Sequence, residues 1–414
     1  MKKIVMLVWA LSTLFFVGCG GLDKPVAQRV NGGEVLADVD AVTMKGILKQ
    51  LNIAKDDTVV YGYKAYKIKY ETTDEENNKV QASGLMVVPT GMPEAVKQIG
   101  YSLVSDDHGT IFANDETSTV VAEKSYAPAG SSVVLTSLGG FVTIQPDYIG
   151  FGDSNSHYHP FILKKSLANA TVDFIKAARK FAQANEIKLN GQLFLTGYSE
   201  GGYAAMATLQ KIEQEGTLQV SMAAPMAGPY ALDAMAMGVL SSPTLTVPSF
   251  MANVAYAYAK AYSKDIANII NEPYASKLEG LIDGSRTRAA IDPELTTVTT
   301  GPTGLFRQDL VGDFFQNPQN WFKKAVQEND IHAWVPQTAV RLIHCKGDHV
   351  IPFQISELTE GTMKAMGAQN VALVPVEETL GQGSALVGHG QCGMMAYQVA
   401  TGAFAQVRKA TIGY

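Results

Sequence analysis

The sequence has little charge, no excess of positive charge and only three cysteines. Charged residues make up 17% of the 414 residues, whereas hydrophobic residues make up 46%. This balance excludes a disordered or fibrous chain and allows a large buried core, in one elaborated domain or in a domain with a cap. The net charge of −6 and the pI near 5.7 provide no basic surface for a polyanion, so nucleic-acid binding is not predicted.

The first residues have the order of an export signal. Two lysines precede an apolar stretch, residues 4–17, that leads to Cys19. Residues 16–19 resemble a bacterial lipobox, with Phe16 where leucine is usual, so Cys19 is the predicted lipidation site. An uncleaved membrane anchor is the alternative, but the stretch is shorter than the roughly 20 residues that span a bilayer. We therefore expect a signal peptide over residues 1–18 and a lipoprotein of the bacterial cell envelope, in the outer membrane and facing the periplasm or the exterior.

The strongest chemical signal is Gly-x-Ser-x-Gly at residues 197–201, centred on Ser199. An apolar strand-type stretch precedes it and an alanine-rich helical stretch follows, as a nucleophile elbow requires. Such a turn is strained and crowded, which explains glycine at both Gly197 and Gly201. The following helix would direct its N–H groups towards an oxyanion at Ser199. An ordinary glycine-rich turn is the alternative, and we predict that Ser199 is a nucleophile.

A serine nucleophile needs a histidine to accept its proton and an acid to orient that ring. Asp348 follows a strand-type stretch, and a glycine-rich loop leads to His389. Serine, acid and histidine then occur in the order expected after successive strands of an α/β sheet. Strand alternation would direct the neighbouring His349 away, and His344 lies inside the strand, where core packing is expected. The sequence therefore predicts a triad of Ser199, Asp348 and His389.

Cys345 and Cys392 lie close in sequence to the predicted acid and histidine. They could form a disulfide in an exported protein. Buried free thiols are the favoured interpretation, and the sequence leaves their pairing open. His157 and His159 have no second cluster of ligand-type residues nearby, so we expect surface histidines; neither a metal nor a cofactor is predicted.

Strand-type and helix-type segments alternate along the chain. Residues 19–46 have no steady periodicity and are interpreted as a tether. Predicted strands are residues 59–70, 80–88, 97–104, 140–145, 193–198 and 220–227, with a helix over residues 164–184. The segment 231–335 is predicted to be a helical cap after the sixth strand. It carries methionines and tyrosines among alanines, a minority of which we expect to line a pocket: Met235, Met237, Met251, Tyr256, Tyr258 and Tyr262. The core then comprises residues 47–230 and 336–414.

With these motifs in place, the sequence resembles the α/β-hydrolase family and, within it, secreted lipases and esterases of the secretory-lipase type. The resemblance covers the chain after about residue 55 and rests on residues 108–110, 147–152, 197–202, 347–348 and 388–389. It implies a mostly parallel central sheet flanked by helices and cleavage of carboxylic esters through an acyl-enzyme.

The resemblance also implies an oxyanion hole. Its donors would be the backbone N–H groups of Glu200 and of the loop at Asp107 or His108, although Asp106 and Asp107 could instead cap a helix. Glu200 departs from the uncharged residue often found after the serine, and a local ion pair is favoured over recognition of a cationic substrate group.

Two other functions remain open at the level of sequence. A serine peptidase of the same fold would carry an identical triad. A non-catalytic surface lipoprotein that binds a partner through the cap is disfavoured, because such a protein has no use for the three groups together. The expected partners are a small-molecule or lipid ester and the membrane that holds the lipid anchor; the sequence does not fix the oligomeric state.

Overall fold

The computed structural model describes residues 29–50, 53–125, 131, 133–381 and 385–414. A ten-stranded sheet in the order β1-β2-β3-β4-β6-β5-β7-β8-β9-β10 forms its centre. The strands are β1 (Arg29–Val30), β2 (Gly33–Val39), β3 (Gly62–Thr73), β4 (Lys79–Thr90), β5 (Tyr101–Asp107), β6 (Val142–Pro146), β7 (Leu189–Tyr198), β8 (Met222–Met226), β9 (Val340–His344) and β10 (Val371–Pro375). Strands β5 to β10 are parallel, whereas β1 to β4 are joined by antiparallel pairs.

Helices cover this sheet and form the segment between β8 and β9. They are α1 (Ala41–Gln50), α2 (Glu94–Ile99), α3 (Ser118–Ser125), α4 (Lys164–Ala184), α5 (Glu200–Glu215), α6 (Leu232–Ser241), α7 (Pro248–Ala261), α8 (Leu278–Leu281), α9 (Arg288–Ile291), α10 (Gln308–Gln316), α11 (Trp321–Asn329), α12 (Phe353–Ala365), α13 (Val376–Thr379) and α14 (His389–Ile412). Between α3 and β6, residues Val133–Leu138 form a π-helical turn. Within the described residues, none of the helices is both long enough and apolar enough to cross a membrane.

Strand β7 shows how the sheet is buried on both faces. Leu193 and Leu195 belong to a core cluster with α4 and α5, whereas Phe194 belongs to a second cluster with Phe404 of α14. Side chains alternate between the faces of a strand, so an apolar run such as Leu193-Phe194-Leu195 fits a strand covered on both sides. The fold class is therefore confirmed: a mostly parallel sheet flanked by helices.

The N-terminal part of the sheet corrects the predicted tether. Within residues 29–46, strands β1 and β2 and the start of α1 are ordered parts of the fold, and β2 pairs antiparallel with β3. Val39 and Met44 are buried in a cluster with Tyr63. This burial explains why the segment folds although its periodicity is weak. The cap segment consequently follows the eighth strand rather than the sixth.

The start of the third predicted strand also differs. Residues 94–99 form helix α2, and β5 begins only at Tyr101. Gly100 separates the two elements with φ of 102°, a backbone conformation that glycine adopts readily. A side chain there would also meet the backbone of Lys188 and Leu189.

The segment between β8 and β9 contacts the core through buried tyrosines. The Tyr258 hydroxyl of α7 donates to the Ile162 carbonyl at 3.1 Å. The Tyr203 hydroxyl of α5 donates to the Asn329 carbonyl at 2.6 Å. Burial raises the pKa of both phenols well above the usual range, so both remain neutral hydrogen-bond donors. These two hydrogen bonds attach the helices between β8 and β9 to the core.

Candidate active site

Ser199 lies at the turn between β7 and α5. Its backbone has φ of 61° and ψ of −119°, a strained conformation for a residue with a side chain. A Cβ on Gly197 would lie 2.4 Å from the Gly201 carbonyl oxygen, and one on Gly201 would lie 1.8 Å from that of Asp107. Only glycine fits at either position, so the spacing of the motif follows from the closeness of three backbone segments.

The structure brings Ser199, His389 and Asp348 into one hydrogen-bonded chain. His389 Nε2 lies 3.0 Å from Ser199 Oγ, and His389 Nδ1 lies 2.5 Å from Asp348 Oδ2. An ionised carboxylate accepts hydrogen bonds and does not donate them, so it fixes the proton on Nδ1. Nε2 is then left as the acceptor for the serine proton. The arrangement can therefore generate a serine nucleophile.

Asp348 accepts hydrogen bonds at both oxygens. Oδ1 accepts the backbone N–H groups of Val350 at 2.9 Å and Ile351 at 3.0 Å. Oδ2 faces His389 and also His344 Nε2, at 3.2 Å. Burial alone would raise the pKa of the Asp348 carboxyl, but hydrogen bonds from His344 and His389 hold it well below its usual range. The carboxylate therefore stays ionised and fixed in orientation.

Two further links connect the acid loop to the histidine. Cys345 and Cys392 form a disulfide between the end of β9 and the first turn of α14, so the favoured interpretation of free thiols is wrong. Both cysteines are fully buried, and the parallel sheet places the end of β9 against α14. The buried Glu377 carboxylate accepts the backbone N–H of Lys346 at 3.1 Å and that of Val387 at 3.2 Å. The disulfide and Glu377 thus span the two segments that deliver Asp348 and His389.

The backbone N–H of Glu200 is the first N–H group of helix α5. The first N–H groups of a helix have no acceptor within the helix, so this one is free to bind another oxygen.

Asp107 ends β5 opposite Gly197. Its side chain does not cap a helix: Oδ1 accepts the Thr171 hydroxyl at 2.9 Å inside the core, and burial raises the pKa of the carboxyl. Asp106 likewise accepts hydrogen bonds from side chains rather than capping a helix: Ser131, Gln145 and Tyr397.

Glu200 forms a local ion pair. Its Oε1 lies 2.7 Å from His159 Nε2, and both side chains are buried. The expectation of a surface position is therefore wrong for His159, while His157 is exposed. His159 Nδ1 lies 2.9 Å from the Ile149 carbonyl, which only accepts, so Nδ1 carries a proton. This buried contact compensates an acidic side chain next to Ser199.

A family model described as secretory lipase matches residues 131–389, more than half of the chain. The chain belongs to the secretory lipase family. The matched segment begins before the elbow and ends at His389, so it contains all three members of the hydrogen-bonded chain. A search of curated proteins returned no match to this secretory lipase.

Solved structures share the fold of this secretory lipase. A proposed hydrolase from Legionella pneumophila has a TM-score of 0.81 at 23% identity, over 92% of this chain and 98% of that one. The rice cell wall degrading esterase LipA from Xanthomonas oryzae, in a ligand-bound form, has a TM-score of 0.76 at 23% identity, over 94% and 98%. Candida antarctica lipase A has a TM-score of 0.59 at 13% identity, over 89% and 78%.

A cavity of about 100 Å³ adjoins Ser199 of the secretory lipase. Ser199, Glu200 and Thr110 lie at its polar end, and the remainder is apolar. Most of its walls come from the segment between β8 and β9: Leu232, Met235, Ala236, Val239, Leu240, Phe250, Met251, Val254, Tyr258, Phe306, Phe322 and Val326. A minority of the methionines and tyrosines in this segment thus line the cavity.

A second cavity of about 370 Å³ adjoins the first. The two share lining residues: Met235, Val239, Phe250, Met251 and Ile351. Since methionine side chains are unbranched and adapt their shape, the shared wall can move. The site therefore has a small apolar compartment next to the serine and a larger one adjoining it.

Several contributors to the site carry no sequence signal by themselves. His159 and Glu377 act through partners that are distant in sequence, at Glu200 and at the loops of residues 346 and 387. His344 is fully buried, as core packing requires, but it also contacts the acid. Its spacing of four residues before Asp348 was the one available hint.

Proposed function

We propose that this protein is a serine hydrolase that cleaves carboxylic esters through an acyl-enzyme. The observation that carries the proposal is the continuous chain from Ser199 through His389 to Asp348, with its serine end at an apolar cavity. Membership of the secretory lipase family supports an ester as the substrate.

In the proposed reaction, Ser199 Oγ attacks the ester carbonyl carbon while His389 Nε2 accepts the hydroxyl proton. The tetrahedral intermediate places its negative oxygen at the backbone N–H of Glu200 and at an N–H of the loop at Asp107 or His108. His389 then gives the proton to the departing alcohol, leaving an acyl group on Ser199. Water attacks that ester with His389 again as base, and the carboxylic acid leaves.

The His159–Glu200 contact supports a role for Glu200 as an oxyanion donor. An unpaired carboxylate one residue after the nucleophile would oppose the developing negative charge. The buried imidazole of His159, which lies 2.7 Å from that carboxyl, reduces this repulsion while the Glu200 backbone N–H remains at the helix start.

The apolar cavity favours an uncharged acyl chain next to the serine. Burial of each methylene contributes at best about 0.8 kcal/mol, and the gain ends where the compartment ends. The rate for short to medium acyl chains should therefore rise with length and then level or fall. A peptidase would need to bring an amide bond, rather than an ester, to Ser199. Turnover of p-nitrophenyl esters compared with that of peptide anilides therefore distinguishes the two substrate classes.

The decisive test compares wild type with Ser199→Ala on p-nitrophenyl butyrate and a peptide anilide. We expect wild-type turnover of the ester far above that of the anilide, and loss of both in the variant with an unchanged melting temperature. Wild-type turnover in Ser199→Ala would overturn the proposal. A preference for the anilide would indicate a peptidase, and no turnover of either by wild type would indicate a binding protein.

We also propose that Cys19, which lies outside the described residues, carries a lipid anchor in the bacterial cell envelope. Stable anchoring requires more than one acyl chain, because a single chain gives only marginal membrane binding. Mass spectrometry of the membrane fraction should find a mature N-terminus at a lipid-modified Cys19. Unmodified N-terminal peptides, or membrane partitioning of Cys19→Ser equal to wild type, would contradict this assignment.

A further inference from the structure

We propose that His344 is a positioning residue for the triad: it donates a hydrogen bond to the same Asp348 oxygen that His389 uses. This inference rests on the proposed triad and adds a fourth side chain to it. The carboxylate oxygen Oδ2 lies 2.5 Å from His389 Nδ1 and 3.2 Å from His344 Nε2. Two imidazoles therefore converge on one oxygen from different elements, β9 and α14.

The protonation of His344 follows from its neighbours. Nε2 lies 3.1 Å from the Ile351 carbonyl oxygen as well as 3.2 Å from Asp348 Oδ2. Since both of these oxygens accept and neither donates, Nε2 must carry a hydrogen. Nδ1 lies 2.8 Å from the Ser356 hydroxyl, which can donate to it. The neutral tautomer with its proton on Nε2 satisfies every one of these contacts.

The hydrogen bond between His344 and Asp348 is buried, so water does not compete for it. The His344 and Asp348 side chains have no exposed area, and the ring of Phe353 lies 5.5 Å from the imidazole. Ser356 and Phe353 belong to α12, the helix that follows the acid loop. The ring therefore bridges β9, the acid loop and α12, and it fixes which way the carboxylate faces.

The second hydrogen bond also has an electrostatic consequence. A donor on Oδ2 withdraws part of the negative charge that this oxygen presents to His389. Loss of that donor would make the carboxylate a stronger partner for the protonated form of His389. Because catalysis requires the unprotonated form of His389, the acid limb of the kcat/KM profile would move to higher pH.

The other groups around the pair do not offer the same interaction. The Tyr198 hydroxyl donates to the His389 carbonyl at 2.7 Å, with its ring 5.0 Å from the imidazole. Glu377 is committed to two backbone N–H groups. The His349 ring lies beside Gly388, where a Cβ would approach it to 3.4 Å. Among the described residues, His344 is thus the histidine besides His389 that hydrogen-bonds the acid.

Two substitutions at His344 distinguish the hydrogen bond to Asp348 from simple packing of the side chain. His344→Gln places an amide N–H near the position of Nε2, whereas His344→Asn places its amide near Nδ1 and leaves Asp348 without the donor. We expect His344→Asn to lower kcat about tenfold, as for loss of a hydrogen bond to a charged group, with little change in KM. Its acid limb should move up by about half a pH unit or more, and His344→Gln should restore most of both properties.

The outcomes distinguish this inference from the proposed function. An unchanged acid limb and kcat in His344→Asn, or equal losses in both variants, would overturn the role of His344 and leave the triad standing. Full activity after substitution of Ser199 or His389 would overturn the triad itself. If neither His344 variant folds, ¹⁵N NMR of histidine-labelled wild type decides: His344 Nε2 must remain protonated throughout the active pH range, and an unprotonated Nε2 would overturn the inference.

Discussion

The acid–histidine region and the apolar cavity both adjoin Ser199 and are held in different ways. Hydrogen bonds, a disulfide and the Glu377 carboxylate fix Asp348 and His389. The cavity walls are mostly apolar side chains, with methionines between two compartments. Directional contacts restrict position to fractions of an ångström, whereas dispersion contacts allow rearrangement at low cost. The comparison therefore predicts that reactivity and acyl selection are set by separable parts of the site.

The largest expected effect follows from removal of the base. His389→Ala should lower kcat/KM for a short ester by about ten-thousandfold or more, because triad members act as a unit. Asp348→Asn should be severe but smaller, since the acid orients the ring and stabilises its charged form. Steady-state kinetics on p-nitrophenyl butyrate measures both. Loss of less than tenfold in His389→Ala would show that the polar region does not control reactivity.

Removal of the Cys345–Cys392 disulfide tests whether the acid–histidine region needs its covalent link. Cys345 and Cys392 are 47 residues apart in sequence, and closing a loop of this size stabilises a protein by about 4 kcal/mol in the chain-entropy account. We expect the Cys345→Ala/Cys392→Ala double variant to melt at markedly lower temperature and to lose kcat near that transition, with an unchanged preference for acyl-chain length. Thermal unfolding and kinetics of oxidised wild type, reduced wild type and the variant form the comparison. Equal melting temperatures would contradict a positioning role.

Glu377 offers a smaller test with a matched control. Glu377→Gln replaces one acceptor oxygen with an amide, so one of the two backbone N–H groups loses its partner. Such a loss costs about 1–3 kcal/mol for a buried group, and kcat should fall several-fold with KM retained. Glu378→Gln is the control, because Glu378 is 60% exposed and forms only a surface contact with Lys346. Equal behaviour of the two variants would show that the Glu377 contacts are dispensable.

The nucleophile elbow could be predicted from the sequence because its defining residues are neighbours in the chain. Gly197, Ser199 and Gly201 lie within five residues, and part of the crowding that requires glycine arises inside that turn, where a Cβ on Gly197 would meet the Gly201 carbonyl. Helix α4 was also located correctly, at residues 164–184, because its apolar spacing spans many turns. Sequence pattern therefore predicted the elements whose conformation depends mainly on residues close in the chain.

The missed features depend on contacts between distant segments. His159 is buried by its contact with Glu200, 41 residues away, and Glu377 bridges two loops. Strands β1 and β2 fold because β3 pairs with β2, although their own periodicity is weak. The disulfide needed the position of α14 relative to β9, which spacing alone does not supply.

The smallest effects should come from the cavity. Met235→Ala removes part of the wall between the two compartments, so chains that pass into the larger one should gain, by at most about 0.8 kcal/mol per added methylene buried. We expect the best acyl chain to become longer while the rate on acetate or butyrate esters stays within about twofold. Met237→Ala is the control, because Met237 is 46% exposed and lines neither compartment. The same chain-length profile in both variants would remove this wall from acyl selection.

Covalent trapping tests the central claim, that Ser199 is the nucleophile of the secretory lipase, most directly. A fluorophosphonate reacts with an activated serine and forms a stable adduct that mimics the acyl-enzyme. Intact-mass and peptide mass spectrometry should find one adduct per chain, on the peptide that contains Ser199, with loss of ester turnover in proportion to labelling. Ser199→Ala should remain unlabelled. Inactivation with the adduct on another residue, or full labelling of Ser199 without loss of turnover, would contradict the account.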